Sequence, residues 1–546
     1  MSVIRRFGRL FDRRRLADDL AVLWDYLSFR WKVFFLHQSR SAGNGKKILI
    51  VSLTDWVAQV KMEGVFGKAL ELDGSAITVL TDRTNKRAQL YFRSMGIDQF
   101  VFLDDLMDQH ASRVPQDRLE AALRSSTFHE FMRCTHRGVR VGKHTLSTIV
   151  RRLRQGSVAF DDPEAQQLLR GLLPRSFQAA EAAHAFFDAE HTDVVLFLEK
   201  GYSPYAEVFD AALAHGCPCI QYVHAHTRDS MFLKRYTLEN ADVHAASVSP
   251  SAWERIKRLP WTAETEESFI AELRRSYAEG TWFNRKFLLE GKKLKNPDAV
   301  RSQLGLDPAK KTVVIFSHVL WDATFFYGTN LFEDYEKWLI ETVKVACGND
   351  RVNWVIKLHP DYVWKMKQLG ITAQPRDVIA LDANFATLPP HITVVAPDTD
   401  ISTYSFFAIT DYCITVRGTI GIEAPCFGIP VLTAGTGRYS GLGFTNDSAS
   451  SQEYLEKLRR IEDIPLLTPE ETTLARRHAH ALFRLRPLTF HTWEMVQSSF
   501  SKLGHPLDQN VILRAASLPD LAAAPDLRAF RDWVLRSQDE DYLASH

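Results

Sequence analysis

Asp411-Tyr-Cys-Ile-Thr-Val-Arg-Gly-Thr-Ile-Gly-Ile-Glu-Ala-Pro-Cys-Phe-Gly-Ile-Pro-Val-Leu432, continued by Ala434-Gly-Thr-Gly-Arg-Tyr-Ser-Gly-Leu-Gly-Phe-Thr-Asn-Asp447, is the stretch on which the reading of the chain turns. It reads as a buried strand from Tyr412 to Val416, a turn at Arg417-Gly418-Thr419, a short helix ending near Gly428 and a second strand from Pro430 to Leu432. A strand that turns through glycine into a helix gathers backbone N–H groups, a hydroxyl and a positive helix end at one point, which attracts phosphate. The glycines alone would also serve close packing in any parallel βαβ unit. Glu423, one helical turn beyond Thr419, tips the balance, because a carboxylate there lies where a ribose would sit if a nucleotide phosphate occupied the helix end.

Upstream of this stretch the same grammar recurs. Thr312 to Phe316 is an apolar strand followed by Ser317-His-Val-Leu-Trp-Asp-Ala-Thr324, and Asn353 to Leu358 is a strand ending in the turn His359-Pro360. Further back, Lys47 to Ser52 and Ile77 to Leu80 flank a helix bounded at Gly64, which opens an earlier parallel α/β unit. That unit resumes with strands at Asp193–Leu198 and Pro218–Val223, which place Glu199 and the pair His224 and His226 at the carboxyl ends where open α/β sheets bind ligands. The sequence thus divides into a segment 1–45, a first α/β domain 46–250 with a helical insertion at about 105–185, and a helical connection 251–297. A second α/β domain 298–485 and helices 486–546 returning to the first domain complete the chain. The fold class is α/β, GT-B-like: two Rossmann-like domains facing a cleft, with a C-terminal crossover helix. On architecture alone, a two-domain binding protein or a sugar epimerase shares this plan.

Composition narrows the classes. The chain of 546 residues is 45% hydrophobic and 24% charged, with a formal net charge of +1, which argues against a dedicated nucleic-acid binder. Its six cysteines are scattered, and four sit in apolar surroundings as reduced core cysteines do, which suits a cytoplasmic protein. Cys217-Pro-Cys219 lacks the spacing of a zinc site, and no metal is expected. No apolar run is long enough to span a bilayer and no cleavable signal pattern is read. The N-terminus interleaves Arg5, Arg6, Arg9, Arg13, Arg14 and Arg15 with Ile4, Phe7, Leu10 and Phe11, then runs through Leu23, Trp24, Leu27, Phe29, Trp31, Phe34 and Phe35. Two readings follow: residues 1–40 form an interfacial helix on an anionic membrane, peripheral at its inner face, or they form a helix packed on the first domain.

Lys357-Leu-His-Pro360 resembles the "HP" motif of bacterial sialyltransferases, capsule-polysaccharide Kdo transferases and CDP-glycerol polymer transferases, and Thr415 to Glu423 resembles the Ser/Thr motif that follows it there. The Gly428-Ile-Pro-Val431 strand, the loop Tyr439-Ser-Gly-Leu-Gly-Phe-Thr-Asn-Asp447 and Asp322-Ala-Thr324 are most similar to the β-Kdo transferases of capsule synthesis. The resemblance covers about residues 310 to 450. It implies a metal-independent glycosyltransferase of surface polysaccharide that takes a nucleotide-activated sugar, CMP-Kdo or similar, to a glycan or glycolipid acceptor. It further implies that Lys357, His359, Pro360, Arg417, Gly418, Thr419 and Glu423 bind the donor, and that Asp322 acts beneath the anomeric carbon as nucleophile or stabiliser. Glu199 and His224 complete the expected catalytic set. The chain departs from the family at Arg417, where serine is usual, at Pro425, and at His318 and Trp321. A non-catalytic nucleotide- or glycan-binding component of a polysaccharide synthesis or export complex, or a CDP-glycerol-type polymer transferase, fits the same motifs.

Overall fold

The computed structural model describes residues 13–38, 45–279, 291–369, 373–497 and 505–544. The first half supplies β1 (Lys47–Val51), β2 (Ala76–Thr81), β3 (Phe100–Phe102), β4 (Val194–Phe197), β5 (Cys219–His224) and β6 (Ser230–Tyr236). The second supplies β7 (Thr312–Phe316), β8 (Asn353–Lys357), β9 (Ile392–Val395), β10 (Tyr412–Thr415) and β11 (Val431–Thr433), followed by β12 (Pro487–Thr489), β13 (Trp493–Gln497) and β14 (Gln509–Leu513). One sheet has the order β12-β6-β5-β4-β1-β2-β3 and the other β11-β10-β7-β8-β9. Read in chain order, β1 to β5 and β7 to β11 each give 3-2-1-4-5 with every pair parallel, so both units are Rossmann-like. The buried runs Val-Val-Leu-Phe of β4 and Thr-Val-Val-Ile-Phe of β7 are the apolar strands expected of parallel sheets covered on both faces.

The strand order fixes the ligand crevices. Each sheet reverses direction between its first and fourth strands, at β1/β4 and at β7/β10, and side chains beyond those carboxyl ends face whatever binds. Five strands are not legible as such, β3, β6, β12, β13 and β14, and the last three lie in the stretch 486–546 expected to be helical. β6 runs antiparallel to β5, and β12 closes the first sheet against β6 from more than two hundred residues away. The helix expected to begin near Gly64 instead spans Val57–Glu71, and Gly64 lies inside it because Met95 fills the space a side chain would need.

Between β3 and β4 the chain is helical, and its helix Pro163–Ala189 packs Leu169, Leu173 and Phe177 against the sheet. The loop that follows β7 crosses to this same core: Val319, Trp321 and Phe325 of the second unit are buried with Phe131, Phe197 and Phe209 of the first. The C-terminal part returns as well. Trp493, Met495, Val511 and Leu513 of the β13/β14 pair, and Phe530 of the helix Pro525–Arg536, join the core on the other face of the first sheet.

The N-terminal helix Arg13–Lys32 docks on that face too. Phe29, with Val33 and Leu36 just beyond the helix, is buried in the core beside Tyr91 and Phe92. Asp25 fastens it, accepting from Lys61 Nζ at 2.9 Å, Tyr91 Oη at 2.5 Å and Asn510 Nδ2 at 2.7 Å. Lys61 is itself buried, so Asp25→Ala strands a charge away from water. The expected result is a loss of about 3 kcal/mol, read as a lower denaturant midpoint, whereas Asp19→Ala on the exposed side of the helix leaves the midpoint unchanged. The arginines at 5, 6 and 9 lie outside the described residues.

Candidate functional site

The β7/β10 crevice is where the deciding stretch lands. His318, one residue beyond Ser317 at the end of β7, reaches across: Val416 N donates to its Nε2 at 3.2 Å, and Thr415 Oγ1 lies 3.2 Å from the same nitrogen. Its ring stacks on Tyr335, centroids 4.6 Å apart. Burial, then the neighbouring His359 and two arginines, hold His318 well below the usual imidazole range, so the ring is neutral and its Nδ1 carries the proton. Next to it, Gly418 N donates to Thr415 Oγ1 at 3.2 Å, and Tyr439 Oη donates to Gly418 O at 3.0 Å. Tyr439 can approach only because position 421 is glycine, since a methyl group there would lie within its ring. The rest of the Tyr-x-Gly-x-Gly-x-Thr-x-Asp loop is bound through Asp447, which accepts from Thr433 Oγ1, Thr445 Oγ1 and Gly441 N at 2.8, 2.9 and 2.7 Å.

The turn differs from expectation in four respects. The α-helix is only Ile420–Glu423 and passes at Pro425 into the 3-10 turn Ala424–Phe427, so few peptide dipoles align and the helix end supplies little positive potential. Thr419 sits at its start with no capping bond from its hydroxyl. Arg417, expected as a ligand, donates its two terminal nitrogens to Tyr327 O and Asn330 Oδ1, latching the loop after β7, while its buried Nε makes no bond among the described residues. Glu423 is buried too, and burial pushes its carboxyl up to about 8, so at neutral pH it is a protonated acid rather than a carboxylate.

His359 follows β8 at the neighbouring strand end. Its backbone N donates to Ser317 Oγ at 3.1 Å, and its Nδ1 accepts from Asp361 N at 3.2 Å, which leaves the proton on Nε2. Pro360 fixes the turn ahead of the helix Asp361–Leu369. Lys357 lies over the rings of Phe316 and Phe406 on the face of the sheet opposite Leu358, and burial lowers its ammonium to about 7.

Across the cleft, Glu199 and Asp322 come together. Asp322 rides on the loop after β7, beside Ala323 at φ 54°, a left-handed conformation that a non-glycine residue holds only under constraint. Its Oδ1 accepts from Tyr202 Oη at 3.1 Å and its Oδ2 pairs with Lys365, while Tyr202 Oη accepts from Ala323 N at 3.1 Å. Arg151 lies over the Tyr202 ring at 4.3 Å. Glu199 Oε1 accepts from Lys200 N and Gly201 N at 2.8 and 2.9 Å. Burial would raise both carboxyls. For Asp322 the Lys365 ammonium and Arg151 outweigh it and hold the group below its ordinary value, whereas Glu199 stays above its own. His224 ends β5 exposed. His226 turns the other way, edge-on to Phe483 at 5.0 Å.

Sequence reasoning passed over His318, Tyr202, Lys365, Arg438 and His244. Tyr202 and Lys365 carry no motif, and His318 enters the sequence reading only as a departure from the resemblance.

No protein-family model and no curated protein matches the chain. Among solved structures it is similar to the beta Kdo 2,4 transferase of KpsC from Thermosulfurimonas dismutans, at 14% identity over 57% of this chain and 84% of that one, with a TM-score of 0.33. It is similar also to a UDP-GlcNAc 2-epimerase from Neisseria meningitidis, at 12% identity over 79% and 95% of the two chains and a TM-score of 0.26. The calicheamicin glycosyltransferase CalG4 gives 12% identity over 80% and 94%, with a TM-score of 0.24.

Proposed function

We propose that this chain is a glycosyltransferase that moves a sugar from a nucleotide-activated donor, CMP-Kdo or a similar CMP-linked acid, to a glycan or glycolipid acceptor of surface polysaccharide. One observation carries the reading: two carboxyls from facing units, Asp322 and Glu199, share a neighbourhood with their ionisation pushed in opposite directions. Such splitting is how a pair of carboxyls divides the work of stabiliser and proton carrier. The ionised Asp322 suits the developing positive charge at an anomeric carbon. Glu199, with its raised pKa, is the stronger base and takes the proton of the attacking acceptor hydroxyl. The departing phosphate meets His359 Nε2–H and the N–H groups of Thr419 and Ile420 in the turn, donors fixed before the charge arrives. Trp56, exposed beyond the carboxyl end of β1, offers an aromatic face to an acceptor ring.

The direct test is nucleotide release from a panel of CMP- and UDP-linked sugars with glycolipid acceptors; the proposal expects turnover with a CMP-linked acid sugar, and a protein inert to the whole panel refutes it. Glu199 gives a second reading. The acidic limb of kcat/KM then sits above the ordinary carboxylate range, with rate rising with pH as Glu199 loses its proton. Glu199→Gln is expected to remove that limb and about 10²-fold of the rate. An unchanged limb in that variant assigns the proton to another group.

We further propose that the N-terminal helix meets an anionic membrane. Besides its docked side it carries Leu20, Trp24, Leu27, Trp31 and, just past its end, Phe34, exposed by 48, 70, 49, 87 and 64%. Their spacing of four, three, four and three residues is one helical stripe, and the sequence ahead of it is arginine-rich. Among the described residues no helix is long and apolar enough to cross a membrane.

A further inference from the structure

Several buried or half-buried cations of the chain lack an acid partner. Arg417, Arg438, Lys200 and Lys357 form no ion pair with a carboxylate among the described residues, although most buried or half-buried lysines and arginines elsewhere in the chain do, as Lys61, Lys234, Arg140 and Arg486 show. Three of the four have evident occupations: Arg417 latches the loop, Lys200 donates to Ala241 O, and Lys357 lies over two rings. Arg438 is different. Among the described residues its side-chain bonds go only to the ring of His244, with Nη2 at 3.0 Å and Nε at 3.3 Å from Nε2.

That contact is poorly matched. Ala246 N donates to His244 Nδ1 at 2.9 Å, so in the neutral ring the proton belongs on Nε2, the nitrogen that faces Arg438. Two sets of N–H donors, one from each unit, therefore converge on one point. Tyr327 closes one side, its ring centroid 4.3 Å from that of His244, and Lys200 lies 5.5 Å over the Tyr327 ring. Glu423, close enough to Arg438 to feel its charge, is buried and protonated and does not neutralise it. A planar guanidinium fork facing an imidazole N–H is a receptor for an oxyanion, which accepts from both.

We propose that Arg438 and His244 form an oxyanion-binding site that spans the two units, and that a phosphate or carboxylate of the substrate bridges them. This deepens the reading above and rests on it for the identity of the ligand, but the anion chemistry stands on the geometry. It assigns to one substrate group the task of joining the units: an anion seated between Arg438, beyond β11, and His244, beyond β6, couples binding to the relative position of the two sheets.

Isothermal titration of the full chain with inorganic pyrophosphate, CMP and free Kdo tests the site, with cytidine as the uncharged control. For each probe that binds, Arg438→Met is expected to weaken affinity at least tenfold and His244→Gln several-fold, with cytidine unaffected. Arg438→Lys, which keeps charge but not the fork, is expected to fall between wild type and Arg438→Met and serves if the methionine variant does not fold. Loss on pyrophosphate and CMP identifies a phosphate, and loss on Kdo alone a carboxylate. Equal affinity in wild type and in a folded Arg438 variant overturns the inference, as does a wild type that binds none of the three. If Arg438→Met transfers sugar at the wild-type rate and affinity, the inference falls and the glycosyltransferase reading stands; if the anion binds through Arg438 but no sugar is ever transferred, the reverse holds.

Discussion

Asp322→Asn is expected to lower turnover by roughly 10³-fold or more while nucleotide affinity stays within a few-fold of wild type. The size follows from the role: a carboxylate that meets positive charge only as the glycosidic bond breaks acts in the transition state and not in the ground state, so its loss falls on kcat. The competing account is that Asp322 is a tie between the units, since it bonds Tyr202 from the first and pairs with Lys365 from the second. Lys365→Met separates the two. It removes the ion pair but leaves the carboxylate, and because Lys365 is the strongest influence opposing burial, the pKa of Asp322 should rise. A catalytic Asp322 then keeps much of its turnover at neutral pH and loses it at a higher pH than wild type as the solution is acidified. A mere tie predicts that both variants melt lower and lose activity in parallel. Equal losses in Asp322→Asn and Lys365→Met, tracking the melting temperature, would assign Asp322 to architecture and favour a binding component over an enzyme.

The parts of this site that were legible in the sequence are those carried by local pattern. The strands on either side of Arg417-Gly418-Thr419 announce themselves by short apolar runs between turn residues, and His359-Pro360 marks a strand end because proline stops what precedes it. Parallel order then follows from alternating strands and helices, which is why both crevices were placed at strand carboxyl ends. What stayed illegible is long-range. Arg438 and His244 are 194 residues apart and meet only because two sheets face each other. The loop after β7 has aromatic residues, Trp321, Phe325 and Phe326, without period, and only the fold shows that they are anchors in the other unit. Arg417 illustrates the converse: an arginine beside a glycine turn suggests a phosphate ligand, yet two oxygens of a distant loop claim it first. Glu423 was placed correctly on its helix, but burial, which no local pattern reveals, changes its charge.

Replacing Trp24 and Trp31 together by glutamate is expected to reduce binding to anionic vesicles by two to three decades and to leave the melting temperature unchanged. Both side chains lie on the exposed stripe, so they contribute nothing to the core, whereas each large apolar side chain moved from water into an acyl boundary is worth about 1.5 to 3 kcal/mol when fully buried. Deleting the segment outright is the poorer experiment. It also removes Phe29 from the core and Asp25 from Lys61, so any release from vesicles would be confounded with unfolding. Substitution of the stripe leaves those anchors in place. Salt supplies the second arm: each arginine near an anionic surface contributes about 1 kcal/mol, so binding through the basic sequence should fade with ionic strength while the tryptophan contribution persists. A double variant that sediments with phosphatidylserine vesicles as wild type does would exclude the membrane as occupant of this face. If the same variant shifts from dimer to monomer in sedimentation velocity, the stripe belongs to a second copy of the chain.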